Sequence, residues 1–251
     1  MNANKFRFLS GNALKIIAAI AMLIDHLGYL FFPKNMALRA IGRLAFPIFA
    51  YFIAEGCRYT KNKVRHFLQI SILALICQIV YYFFASDTTL FVLVSFSLAE
   101  LAIFALQYFK KTCFEKDTKL WKKLLSALPF IAIVVGVAVL CNYATMDYGF
   151  WGFMLPVIVS LCDFKGVNVS ENFQKQVDNP FTKFLLFTIG LLLLYYFLSP
   201  HLPKVYSLLT LPLIALYSGE KGKAKLKYFF YLFYPLHLVL LEGLYMLLYF
   251  L

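Results

Sequence analysis

Lys15 and His26 stand eleven positions apart in an otherwise apolar run, ALKIIAAIAMLIDHLGYLFFP (residues 13–33), with Asp25 just before the histidine. At about 100° per residue, eleven positions make three helical turns plus about 20°, so both side chains leave a helix on one face, about 16 Å apart along its axis. An imidazole is the side chain suited to moving protons near neutral pH. Burying such groups in hydrocarbon costs several kcal/mol unless they face a polar cavity or a partner, so a helix carrying them lines something.

Other groups join them when helices are laid out by length. The run 13–33 is long enough to span a bilayer. Residues 37–56, ALRAIGRLAFPIFAYFIAEG, form a second span with Arg39, Arg43 and Glu55. Pro47 frees the carbonyl of Arg43, four residues back, and predicts a kink there. Further spans are expected at about 67–85, 90–109 (with Glu100), 124–142, 149–163, 182–198, 205–218 and 228–250, the last carrying Pro235, His237 and Glu242. The segments at 149–163 and 205–218 are short, contain Pro156 and Pro212, and are candidates for broken or re-entrant helices. The tight FPKN, SDTT and SPHLPK segments turn the chain between spans.

Composition agrees with this layout. Of 251 residues, 62% are hydrophobic and only 14% charged, a balance that excludes a soluble domain of this size. The expected fold is an all-α integral membrane protein, a polytopic bundle of about nine transmembrane helices, with 1–251 as one domain. The net charge of +12 sits in short loops between apolar runs, as juxtamembrane charge does, and not in a nucleic-acid patch. With a cytoplasmic N-terminus, 20 of the 24 Lys and Arg residues fall on the inner side, and only Lys34, Arg39, Arg43 and Lys204 on the outer half. The start, with Lys5, Arg7 and Lys15, reads as an uncleaved signal anchor, because the small-residue site at Ala19-Ile-Ala21 lies inside the apolar run. Cys57, Cys77, Cys113, Cys141 and Cys162 show no CxxC or zinc spacing, so they read as reduced structural thiols and no metal is expected.

In this topology His26, Asp25, Arg43 and His237 share the middle-to-outer depth of three helices, and Lys15 sits at the inner edge. Alone, His237 is as well explained as a packing residue bonded to a carbonyl. Asp25 points about 100° away from His26, so it pairs with Arg43 or another helix, structurally or as part of a site. Arg39, one turn outward, snorkels. Glu55 is solvated or paired with a loop base such as Arg58. Glu100 and Glu242 suit proton carriage, substrate contact or protonated packing, and the sequence does not choose.

At these residues the chain resembles the TraX family, membrane proteins named for the enzyme that N-acetylates conjugative pilin. The resemblance rests on LKIIAAIAMLIDHLGYLFFP, IGRLAFPIFAYFIAEG and FYPLHL. TraX proteins in turn are similar to the membrane acyltransferase-3 group, whose first helix carries a basic residue, ten intervening residues and a histidine, as Lys15 and His26 do. The resemblance implies an acetyltransferase using cytoplasmic acetyl-CoA, with His26 as general base, Lys15 as a phosphate contact, and Arg58, Lys61 and Lys63 of the next inner loop holding phosphate by charge. The basic position here is lysine, a point charge in place of a guanidinium fork. Asp25, Arg43 and His237 are then expected around the reacting centre, Arg43 or helix backbone donors steadying the oxyanion or Arg43 orienting Asp25, and His237 as second proton carrier.

The reading reached is a multi-pass inner-membrane acetyltransferase whose partners are acetyl-CoA, a peptide-amine or glycan-hydroxyl acceptor and the bilayer, without nucleic acid. The rival is a proton-coupled transporter using Asp25, His26, Glu100 and Glu242. A third class is a non-enzymatic membrane partner of an exported peptide.

Overall fold

Ser10 starts the first helix: its hydroxyl accepts from the Ala13 backbone N–H at 3.2 Å, satisfying one of the free donors of the first turn. In the computed structural model, which describes residues 7–85, 88–197 and 202–249, that helix is α1 (Gly11–Leu30). Lys5, the Ser86-Asp87 half of the SDTT turn, the SPH of SPHLPK and the end of the last span at Phe250 lie outside the described residues.

The second span is two helices, α2 (Met36–Gly42) and α3 (Ala45–Tyr59), with the break at Arg43 and Leu44. That is the consequence expected of Pro47, which has no N–H for the Arg43 carbonyl. Then follow α4 (Lys63–Ala85), α5 (Val92–Cys113), α6 (Leu120–Tyr143), α7 (Gly149–Val159, ending in a 3-10 turn to Cys162), the short surface helix α8 (Glu171–Val177), α9 (Pro180–Phe197), α10 (Thr210–Ala215, preceded by a 3-10 segment) and α11 (Lys227–Tyr249). Counting α2–α3 as one, seven helices among the described residues are long and apolar enough to cross a membrane. The two remaining apolar segments, Gly149–Cys162 and Val205–Ala215, are the two that read as short, so seven long helices stand where about nine transmembrane helices were expected.

The core is built where small residues let backbones approach. A methyl added at Gly42 would run into Cβ, Cγ and Oδ1 of Asp25, and one added at Gly28 would lie 2.7 Å from Leu38 Cβ, so α1 and α2 pack through glycine on both sides. Gly42→Ala is therefore expected to cost about 1–3 kcal/mol through overpacking and to push Asp25 off its partner. Thermal unfolding in detergent checks it against Gly136→Ala, where nothing lies within 4 Å of an added methyl and no loss is expected. Helix α1 also packs on α3 and α11, and α5 on α3, α4, α6 and α7.

Several basic residues read as topology signals turn out to hold the bundle together at the face carrying the α1 N-terminus. The Lys110 ammonium is buried and donates to the carbonyls of Ser160, Leu161 and Asp163 at 2.8–3.0 Å, capping the end of α7. Arg58 ties α3 to Asp163 at 2.9 Å and Asp178 at 2.5 Å. Glu55, expected to be solvated or to meet Arg58, instead pairs with Lys183 of α9 at 2.7 Å, both buried. At the same face the loop before α11 is fastened to α1: Gly11 and Asn12 N–H donate to the Glu220 and Lys221 carbonyls, and Arg7 Nε to the Tyr217 carbonyl.

Candidate functional site

Helix α1 presents Lys15 and His26 to two different cavities. The larger, about 620 Å³, lies at the face of the α1 N-terminus, and its charged lining includes Lys15, Lys221, Lys227 and Glu55. The smaller, about 220 Å³, lies toward the opposite face and is lined by Asp25, His26, Arg39, Arg43, Asp147 and Glu242, among others. The two share Phe49, Phe96 and Tyr234 as lining.

The histidine pair is set by helix geometry. His26 Nδ1 lies 2.9 Å from the Met22 carbonyl and His237 Nδ1 lies 2.8 Å from the Phe233 carbonyl, each four residues back on its own helix. A carbonyl only accepts, so Nδ1 carries the proton in each neutral ring and Nε2 is the basic nitrogen. The two rings meet edge to face with centroids 5.0 Å apart. His26 is on the cavity wall; His237 stands behind it, buried and stacked on Phe233 at 4.9 Å, with a buried Nε2 that makes no hydrogen bond with the described residues. The sequence brings the two histidines to one depth, and the structure brings them into contact.

Asp25 and Arg43 are both at the cavity but are not partners. Asp25 pairs with Arg39 at 2.9 Å, and Arg39 also donates to the Asp25 carbonyl at 3.3 Å. Arg43 donates to the Tyr148 hydroxyl at 3.1 Å. The cause is the break after Gly42, which takes Arg43 out of the stripe that Arg39 occupies on α2. Arg39, expected only to snorkel, thus holds the carboxylate, while the buried Nε–H of Arg43 makes no hydrogen bond with the described residues.

Tyr148 and Asp147, in the turn before α7, were missed by sequence reasoning. Tyr148 has φ of 60°, a left-handed conformation that costs a non-glycine residue energy, and its ring stacks on Phe46 at 3.8 Å. Its φ leaves no trace in the sequence beyond the following Gly149. Burial raises the Tyr148 hydroxyl above the ordinary tyrosine range, which keeps it a neutral hydrogen-bond partner for Arg43.

The expected phosphate contacts divide. Lys15 lines the larger cavity, its ammonium 4.8 Å from the Phe52 ring centroid. Arg58, Lys61 and Lys63 do not line it. Arg58 is neutralised by its two aspartates, and Lys61 and Lys63 are exposed on the turn into α4. The cations that do join Lys15 there are Lys221, from the basic segment before α11, and Lys227, the first residue of α11.

A family model described as "TraX protein" matches residues 10–245. A probable fimbrial assembly protein, FimC of serogroup H1 from Dichelobacter nodosus, is 29% identical over 248 residues, covering 91% of this chain and 92% of its own. An uncharacterized protein, RP591, of Rickettsia prowazekii (strain Madrid E) is 44% identical over 52 residues, 21% of each chain. No solved structure matches.

Proposed function

The chain belongs to the TraX family, and from that premise we propose that it is an inner-membrane acetyltransferase that takes acetyl-CoA from the cytoplasm and transfers the acetyl group to an acceptor amine or hydroxyl at the opposite face. The observation that carries this reading is that one helix lines two cavities, with a lysine cluster in one and His26 in the other, and that the two share Phe49, Phe96 and Tyr234 as lining. A cavity of about 620 Å³ suits a pantetheine arm. Lys15, Lys221 and Lys227 supply the charge that nucleotide phosphates need at its mouth, and with the N-terminus cytoplasmic that mouth faces the cytoplasm.

The chemistry proposed for this chain's residues is short. His26 Nε2 removes a proton from the acceptor as its nitrogen or oxygen attacks the thioester carbonyl. The C–S bond breaks, and the departing thiolate takes the proton back from the imidazolium, releasing CoA as the thiol. Arg43, with its uncommitted Nε–H, is the donor for the oxyanion that forms on the carbonyl oxygen. The Met22 carbonyl and the His237 ring hold the His26 imidazole in orientation.

The test is acetyl-CoA binding and slow CoA release by protein purified in detergent. Lys15→Ala is expected to weaken binding about tenfold, and Lys15→Ala/Lys221→Ala further, with turnover at saturation little changed. Unchanged affinity in the double variant would remove this cluster as the anchor. If no variant or wild-type protein binds acetyl-CoA while proton-dependent solute flux appears in liposomes, the transporter reading replaces this one.

A further inference from the structure

A second cluster of reactive side chains lies away from His26, at the larger cavity. Cys57 near the end of α3, His66 near the start of α4 and Glu100 in α5 each offer one ligand atom, and the three atoms lie within 4.8 Å of one another. Cys57 and Glu100 are buried, the latter completely, while His66 is partly open and lines the larger cavity.

The carboxylate of the cluster is buried without hydrogen bonds to the described residues. His66 Nδ1 and Glu100 Oε1 are 2.9 Å apart, and both are buried atoms that make no hydrogen bond with the described residues. Glu100 Oε2 is also buried and has no hydrogen bond with the described residues. A carboxylate in an apolar core without donors costs several kcal/mol. A cation held between the two atoms would satisfy both of them, and their 2.9 Å separation leaves room for one. Nitrogen and oxygen ligands at about 2.0–2.1 Å from a metal stand about 2.9–3.4 Å apart for bond angles between roughly 90° and 110°.

We propose that Cys57, His66 and Glu100 bind a divalent transition-metal ion, zinc by ligand chemistry, entering from the larger cavity past His66. Thiolate and imidazole select zinc over magnesium or calcium. A thiolate and a carboxylate carry two negative charges, so the filled site is neutral in a medium that penalises net charge. Three protein ligands leave one coordination position for water or a ligand. Gly56 makes room for the imidazole: a methyl there would stand 3.1 Å from His66 Cε1 and Nε2. The eight residues between Cys57 and His66 match no zinc motif, and the third ligand is on another helix, which is why spacing along the chain does not reveal the site.

The experiment uses the full chain in detergent, stripped with chelator and titrated with zinc chloride or cobalt chloride. Expected results are about one metal ion per chain by mass spectrometry, and a thiolate-to-cobalt charge-transfer band in the near ultraviolet. Cys57→Ser is expected to abolish that band, and Cys57→Ser and Glu100→Gln each to weaken zinc binding by at least about tenfold. Cys77→Ala, at a fully buried thiol outside the cluster, leaves both unchanged. A wild-type protein that takes up no stoichiometric metal, or whose cobalt form lacks the thiolate band, overturns the assignment without any variant having to fold. No acetyl-CoA is used, so this outcome is independent of the acyl-transfer reading.

Discussion

Replacing His26 with alanine is expected to lower acetyl transfer by about 10²- to 10⁴-fold, the ordinary contribution of a positioned acid–base group, while acetyl-CoA affinity stays within about twofold. The two effects separate because His26 lines the smaller cavity and the lysines line the larger one. His237→Ala makes a sharper distinction. That ring touches His26 but does not line either cavity, so it is a positioning residue. Its loss is expected to reduce turnover less than loss of His26 and to change the pH profile of turnover, which a residue that only fills space would not do. Single-turnover kinetics at saturating acetyl-CoA measure both. Normal turnover in folded His26→Ala protein would take His26 out of the chemistry.

The second large effect is on stability. Glu55 and Lys183 are joined at 2.7 Å across α3 and α9, and each is less than a tenth exposed. Removing one charge leaves the other buried without a partner, which costs about 3–5 kcal/mol. Lys183→Met is therefore expected to lower the thermal midpoint in detergent steeply, and Glu55→Gln/Lys183→Met to recover most of the loss. Lys175→Ala, which breaks the exposed pair with Glu171 on α8, is expected to change nothing measurable. Equal losses in the single and double variants would show that the pair is not what those side chains contribute.

What the sequence carried well were relations along one helix. The Lys15–His26 stripe, the Pro47 break and the short character of the segments around Pro156 and Pro212 all follow from residue spacing and from what proline does to a helix. Relations between helices were less legible. Depth brought Asp25 and Arg43 to one level, but the break at Arg43 turned its guanidinium to Tyr148, 105 positions along the chain, and left Asp25 to Arg39. Nothing local marks such a partner. The basic loops misled for a related reason. A lysine at the end of an apolar run looks the same whether it is solvated or, like Lys110, buried against three carbonyls. Arg58 likewise sits beside two exposed lysines in sequence and is bound to two aspartates from a distant loop. The cation cluster at the larger cavity comes from Lys221, which the fastening of its loop to α1 brings beside Lys15, and from Lys227 at the start of α11.

The central claim is passage of an acetyl group between the two cavities, and sealed proteoliposomes of one orientation test it most directly. Labelled acetyl-CoA is supplied on the side where Lys15 and Lys221 open, and an amine-bearing peptide on the other. The account predicts labelled acetyl-peptide on the far side, CoA left on the near side, and neither product with His26→Ala. Intact liposomes that make no acetyl-peptide from either side, or that make it only where peptide and acetyl-CoA share a compartment, would contradict it.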